Sequence, residues 1–245
     1  MMGENITIRH AKETSEGENV TVKRLFPIEG YMNFDPFVLW DHFNVQAGSG
    51  FPDHPHRGFE AITYMFSGSM KHTDNLGNDS RVLAGGAQRF TAGKGIVHSE
   101  MPGSEGVNDG IQLWINLPKS LKTLEPDYQE VLTEDIPEKE FEGGSSRIIV
   151  GEGSPLKLHS NVQYEDVNIN SGVTWNQKIN KDWRGLMYIV SGEIEIEGKV
   201  AGTADAVMFS NIENITIKTK DDSRIMLCIG RPHGEPIKQW GPYVD

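Results

Sequence analysis

Short extended runs dominate this chain, and helical periodicity is scarce. Pro36-Phe37-Val38-Leu39-Trp40 is a compact apolar run, and Gln112, Trp114 and Asn116 alternate with Leu113, Ile115 and Leu117. A period of two puts successive side chains on opposite faces of a strand. The runs stop at turn residues: 27 glycines and 12 prolines divide the 245 residues. Asp74-Asn75-Leu76-Gly77-Asn78 has the composition of a tight hairpin turn. Further strands are expected over 5–25, 61–66 (continuing from His56), 81–90 and 110–117, then from Arg147 through Ile229 at short separations. Many short strands with short connections predict an all-β sandwich or barrel.

The chain is long enough for one large or two ordinary domains, and a 37% hydrophobic share supports a real core. Tyr64-Met65-Phe66-Ser67-Gly68 recurs as Tyr188-Ile189-Val190-Ser191-Gly192, and each copy follows an Arg-Gly pair, Arg57-Gly58 and Arg184-Gly185. Between the copies, Pro118 to Glu140 is charged, with prolines at 118, 126 and 137. The expected division is a first domain over 1–120, a linker over 121–144 and a second domain over 145–245.

Two short words in the first half point to chemistry. One is His54-Pro55-His56, the other His98-Ser99-Glu100. Each sets two potential ligands at i and i+2, which share one face of a strand. A lone His-x-His is more often a hydrogen-bonded pair, but two such words beside glycine clusters predict a shared metal site. Neutral imidazole suits iron, copper, nickel and zinc, and a carboxylate favours Fe(II) or Mn(II) over a thiolate-loving ion. Parity leaves two acids open: Glu60 shares the register of His54 and His56, and Glu100 that of His98. Laid on the repeat, His54, His56 and Glu60 fall opposite Lys178, Asn180 and Arg184. Arg offers no lone pair and Lys is a poor ligand, so the second domain is expected to be metal-free.

The spacing resembles the cupin family. Gly48, His54, His56 and Glu60 fit its first motif, with Gly68 one residue late. In the second motif Gly93-Lys94-Gly95 stands before His98 where a proline would begin it. The strings HPHRGFE, DNLGN, TAGKGIVHSEMP, QLWINLP and GEPIKQWGPYV are similar to the pirin family of bicupins over nearly the whole chain. That resemblance implies two tandem cupin barrels (double-stranded β-helix, or jelly-roll), the second without metal. It implies His54, His56, His98 and Glu100 as ligands of one ion, most often Fe(II), with Mn, Ni, Cu and Zn as other occupants. Glu60 then becomes a supporting or structural acid.

The resemblance also implies a reaction. Several pirins cleave the flavonol quercetin with O2 as a 2,3-dioxygenase, opening the heterocycle with loss of carbon monoxide. Glu100 would act as catalytic base for the substrate's 3-hydroxyl, and Phe51 and Trp114 are candidates to line the mouth. The competing expectation is a redox-sensitive iron-binding regulator that docks a protein partner such as a transcription factor. The end soon after GPYVD, shorter than in some nuclear members, favours the enzyme. A zinc-dependent sugar isomerase of the cupin type fits the ligands but not the detailed strings.

Charge and composition exclude other classes. A net charge of −12 argues against backbone-directed nucleic-acid binding and against anionic membranes. No stretch approaches the roughly 20 apolar residues of a membrane span, and MMGENITIRH carries no apolar leader. The single cysteine, Cys228, sits in the apolar run RIMLCIG, where a buried strand residue is expected. The expected location is the reducing cytoplasm.

Overall fold

The computed structural model describes residues 5–104 and 106–245. Among them there is no α-helix, and the helical content is two 3-10 turns, Lys119–Leu121 and Thr133–Asp135. No helix is long and apolar enough to cross a membrane. The strands form two compact units.

The first unit comprises Lys12–Ile136, Pro155–Ser160 and His233–Asp245. Its seven-stranded sheet runs Asp127–Val131, Ala87–Thr91, Phe59–Ser67, Val107–Asn116, Phe37–Gln46, Val20–Phe26, Lys12–Glu16. Its four-stranded sheet runs Phe51–His56, Ile96–Pro102, Ser69–Asp74, Asp79–Leu83. Apolar side chains bridge the two sheets: Met70 and Val82 from the smaller meet Val22, Phe43 and Met65 from the larger. Burying a side chain of that size contributes about 1.5–3 kcal/mol.

The second unit comprises Pro137–Ser154 and Asn161–Pro232 together with the strand Ile6–His10. Its large sheet runs Ile6–His10, Asp205–Ser210, Arg184–Ser191, Ser223–Gly230, Val162–Ile169, Gly144–Val150, Glu138–Phe141. Its small sheet runs Thr174–Lys178, Asn214–Thr219, Glu193–Ile196, Lys199–Gly202. The repeated pentapeptide ends the third strand of each large sheet and turns at Gly68 and Gly192, both at positive φ. An added Cβ would sit 2.6 Å from Asn108 at the first and 2.4 Å from Ser223 at the second, so only glycine fits either turn. The all-β pair of cupin barrels is therefore present. Cys228 is buried there, and burial pushes its thiol well above the usual range.

The chain departs from the expected boundaries in three places. Residues 121–144 are not a bare linker: Asp127–Val131 pairs with Ala87–Thr91, and Glu138–Phe141 pairs with Gly144–Val150. Both are edge strands, whose outward charges blunt further pairing and mask the alternation. Second, the ends are exchanged. Ile6–His10 pairs with Asp205–Ser210, and the tail from His233 belongs to the first unit. Third, the run from His56 into Phe66 is two strands in different sheets. Gly58 breaks it at φ +87°, where a Cβ would lie 1.8 Å from the Val244 carbonyl oxygen.

Candidate metal centre

Phe51–His56 and Ile96–Pro102 lie antiparallel, with His54 opposite His98. Along Ile96–Pro102 the alternation is complete: Ile96, His98 and Glu100 are buried, while Val97 and Met101 are exposed. The register shifts between His98 and Glu100, so that Glu100 stands opposite Phe51. The ligand-capable atoms of His54, His56 and His98 come within 4.8 Å of one another, the one such group among the described residues.

The hydrogen bonds of these rings fix what they present. His54 Nδ1 lies 2.7 Å from the Pro52 carbonyl oxygen, and His56 Nδ1 3.2 Å from that of Pro242. A carbonyl only accepts, so each Nδ1 carries the proton and each Nε2 keeps its lone pair. Burial, aided by neighbouring His54, holds His56 at about 3 against the Pro242 bond. Burial and the facing imidazoles likewise hold His98 well below the usual histidine range. Neutral rings are what a metal ion requires. His98 Nε2 and His54 Nε2 face each other at 3.1 Å. That spacing suits two ligands of one ion, each about 2 Å from it; without an ion it is a hydrogen bond that His98 donates to His54. The donor set therefore fits a divalent transition metal.

Glu100 lies outside that close group and is held from three sides. Its Oε1 accepts from Gln88 Nε2 at 2.7 Å and lies 2.8 Å from Thr63 Oγ1. Its Oε2 has a single long bond, 3.3 Å, from Gln112 Nε2. Glu60, the other acid left open by parity, points elsewhere. It is fully buried and accepts from the backbone amides of His159 and Ser160, at 2.9 and 3.1 Å. Burial raises its carboxyl against the pull of those amides. Its role in the fold is to cap that segment.

A cavity of about 550 Å³ opens beside the imidazoles, lined by His54, His56, Glu100, Phe51, Trp114 and Met70 among others. Trp114 stacks on Phe59 at 4.1 Å and meets His56 edge-on at 4.8 Å. On another wall Arg24 binds Asp41 through two nitrogens, at 2.7 and 2.5 Å, and Glu16 at 2.6 Å. Tail residues Gln239, Gly241 and Pro242 complete the lining. Val244 is buried, its carbonyl oxygen bound by Lys122 Nζ at 2.8 Å, and Arg57 holds the Asp245 carboxylate at 2.9 Å.

Several of these residues carried no warning in the sequence analysis. His72 is fully buried, stacks on Tyr128 at 4.3 Å and lies 3.4 Å from His98, Nδ1 to Nδ1. Its signal was present, since His72-Thr73-Asp74 is a third word with ligand types at i and i+2. Arg24 and Asp41 are cross-strand partners, a relation that sequence separation conceals.

Residues 19–115 match the family profile described as Pirin, and 164–245 the one described as Pirin C-terminal cupin domain. A pirin-like protein of Solanum lycopersicum is 38% identical, covering 96% of this chain and 84% of its own length. The pirin of Homo sapiens is 37% identical with the same coverage, 96% and 84%. Among solved structures, a quercetin 2,3-dioxygenase from Acinetobacter baumannii superposes with a TM-score of 0.90 at 25% identity, covering 98% of this chain and 84% of that one. A bacterial pirin from Escherichia coli in complex with nickel(II) superposes with a TM-score of 0.78 at 25% identity, covering 93% and 99%. With both barrels matched and whole-length relatives at this identity, the chain belongs to the pirin family.

Proposed function

We propose that this protein holds one divalent transition-metal ion, Fe(II) foremost, and uses it to open the heterocycle of a flavonol such as quercetin with O2. The observation that carries the reading is the convergence of three imidazoles, their ligand-capable atoms within 4.8 Å of one another, beside a cavity with aromatic walls. The likeness to the quercetin 2,3-dioxygenase and to the nickel-bound bacterial pirin supports it. His54, His56 and His98 would hold the ion, joined by Glu100. When bound, the ion supplies a Lewis acid for a substrate hydroxyl and an electron path to O2.

The chain's own residues do the rest. Glu100 Oε1 takes the short bond from Gln88 and Oε2 only the long one from Gln112, so Oε2 is the oxygen with more capacity left, for the ion or for the proton of the substrate's 3-hydroxyl. Thr63, Gln88 and Gln112 keep that carboxylate aimed while the proton moves. Phe51 and Trp114 give the cavity flat apolar surface that favours a small planar aromatic and keeps water back. Arg24 is engaged by Asp41 and Glu16, so this wall favours an uncharged ring over an anion.

The test is anaerobic titration of the iron-loaded protein with quercetin, followed by O2. The expected result is flavonol binding, then O2 uptake with release of carbon monoxide. An iron-loaded protein that consumes no O2 with any flavonol of a broad panel overturns the reading.

A further inference from the structure

Behind the three histidines stands a fourth imidazole. His72 Nε2 lies 3.0 Å from Asp74 Oδ2, and neither side chain reaches solvent. Asp74 is itself fixed: Leu76 and Asn78 donate backbone amides to Oδ1 at 2.9 and 3.0 Å, and Asn78 Nδ2 donates to Oδ2 at 2.8 Å. Burial opposes its charge, but the bonds from His72 and Asn78 outweigh it and hold the carboxyl below its ordinary value. On its other side His72 Nδ1 meets His98 Nδ1 at 3.4 Å.

We infer that Asp74 and His72 form a two-residue relay that fixes the tautomer of His98 and tunes the bound ion. The inference rests on the metal reading above. With an ion at His98 Nε2 and His72 neutral, one proton assignment satisfies the contacts along this series. The Asp74 carboxylate only accepts, so His72 Nε2 carries a proton and donates it. For His98 to offer Nε2 to an ion, its Nδ1 must carry the proton, and His72 Nδ1 must accept it. Each bond in the series pushes electron density toward His98 Nε2. Such outer partners orient a metal-bound imidazole and raise its basicity. His54 and His56 donate instead to neutral carbonyls, at Pro52 and Pro242. His98 is thus the ligand of the three whose support ends on a carboxylate. His72 and Asp74 are positioning residues, since neither is placed to touch the ion or substrate.

Three variants test this, read by Fe(II) affinity under anaerobic chelator competition and by the Fe(III)/Fe(II) midpoint potential. His72→Phe keeps a flat ring between Tyr128 and Phe90 but offers His98 no acceptor. Asp74→Asn keeps the shape and the turn. Its amide would donate to His72 Nε2, move the proton to Nδ1 and set two N–H groups against each other. Each is expected to weaken Fe(II) binding about 10- to 100-fold and to move the potential in favour of the ferrous form. His72→Gln can accept from His98 and donate to Asp74, and should stay close to wild type. If His72→Phe does not fold, the contrast between Asp74→Asn and His72→Gln decides alone. Folded variants that all keep wild-type affinity and potential overturn the relay and leave the metal reading standing. A wild-type protein that binds no Fe(II) fails at the earlier step, and the two failures are distinct.

Discussion

The two barrels can be matched strand for strand, a seven-stranded sheet and a four-stranded sheet in each. Phe51–His56 and Ile96–Pro102 stand where Thr174–Lys178 and Asn214–Thr219 stand in the second. In the first barrel these strands turn His54, His56 and Glu100 toward a cavity and bring His98 against the two histidines. In the second, the inward positions of Asn214–Thr219 are Ile215 and Ile217, members of a continuous apolar core with Ile189, Ile194, Ile225 and Leu227. The same scaffold thus supports a polar, hollow interior or a filled one. The backbone provides two inward-facing strands; residue type at a few inward positions decides between reactivity and stability. A filled core gains packing at every methylene, whereas converging neutral imidazoles supply donor atoms that only an ion can use together.

The largest contrast to break is at the centre of each barrel. His98→Ala should lose bound metal and O2 uptake together, by elemental analysis and oxygen electrode. Ile215→Ala, at the matching position of the filled barrel, should leave both intact and cost about 2–5 kcal/mol in denaturant melts. Loss of metal from the isoleucine variant would mean that the barrels are not independent in this respect. Two buried acids of the first barrel, Glu100 and Glu60, sharpen the point. Glu100→Gln should lower turnover by about 10²- to 10⁴-fold. Glu60→Gln should leave turnover near wild type and cost about 1–3 kcal/mol of stability, because Glu60 binds the amides of His159 and Ser160 and not the cavity.

How far these features could be read beforehand follows from what each depends on. His54, His56 and His98 were legible because a strand's period is two and both words lie within one strand each. The repeat set Lys178 and Asn180 where the histidines would fall, which removes ligands from the second barrel but does not reveal Ile215 and Ile217, which fill it. The exchanged termini were not legible. Ile6–His10 alternates weakly, and its partner Asp205–Ser210 lies almost a full chain length away. The strands of the tail, Gln239–Trp240 and Tyr243–Val244, are two residues each and too short to show a period, and its other anchors are contacts at Arg57, Lys122 and the packed Gly58. Asp127–Val131 read as linker because an edge strand needs charges on its outer side. His72-Thr73-Asp74 carries the same i, i+2 spacing, but only the pairing of Asp74 with His98 across the ladder ties that word to the site.

A smaller effect separates the barrels by pH. Burial keeps His56 neutral down to about 3, whereas the unfolded chain takes up a proton near 6.5. Below pH 6.5 the unfolded state therefore binds more protons, and metal-free stability falls with acidification. At pH 5 the His56 contribution alone is on the order of 2 kcal/mol. The core of the second barrel is apolar, so amide protection factors, corrected for the intrinsic exchange rate at each pH, should fall between pH 7 and pH 5 mainly in the first. His56→Phe should flatten that dependence. Equal loss of protection in both barrels would show that acid sensitivity has another source.

The smallest effect on stability is expected where the tail is clamped. Arg57 and Asp245 keep 44% and 47% of their side chains exposed, so their ion pair contributes no more than about 1 kcal/mol. The packing of Val244 and the Lys122 bond remain when Arg57 is removed. Yet Pro242, two residues from the buried Val244, lines the cavity and accepts from His56. Arg57→Ala should thus barely move the melting temperature while it loosens the wall that faces the substrate. The expected signature is a raised KM with kcat and metal content held. A large fall in melting temperature with KM unchanged would assign Arg57 to folding and not to the cavity.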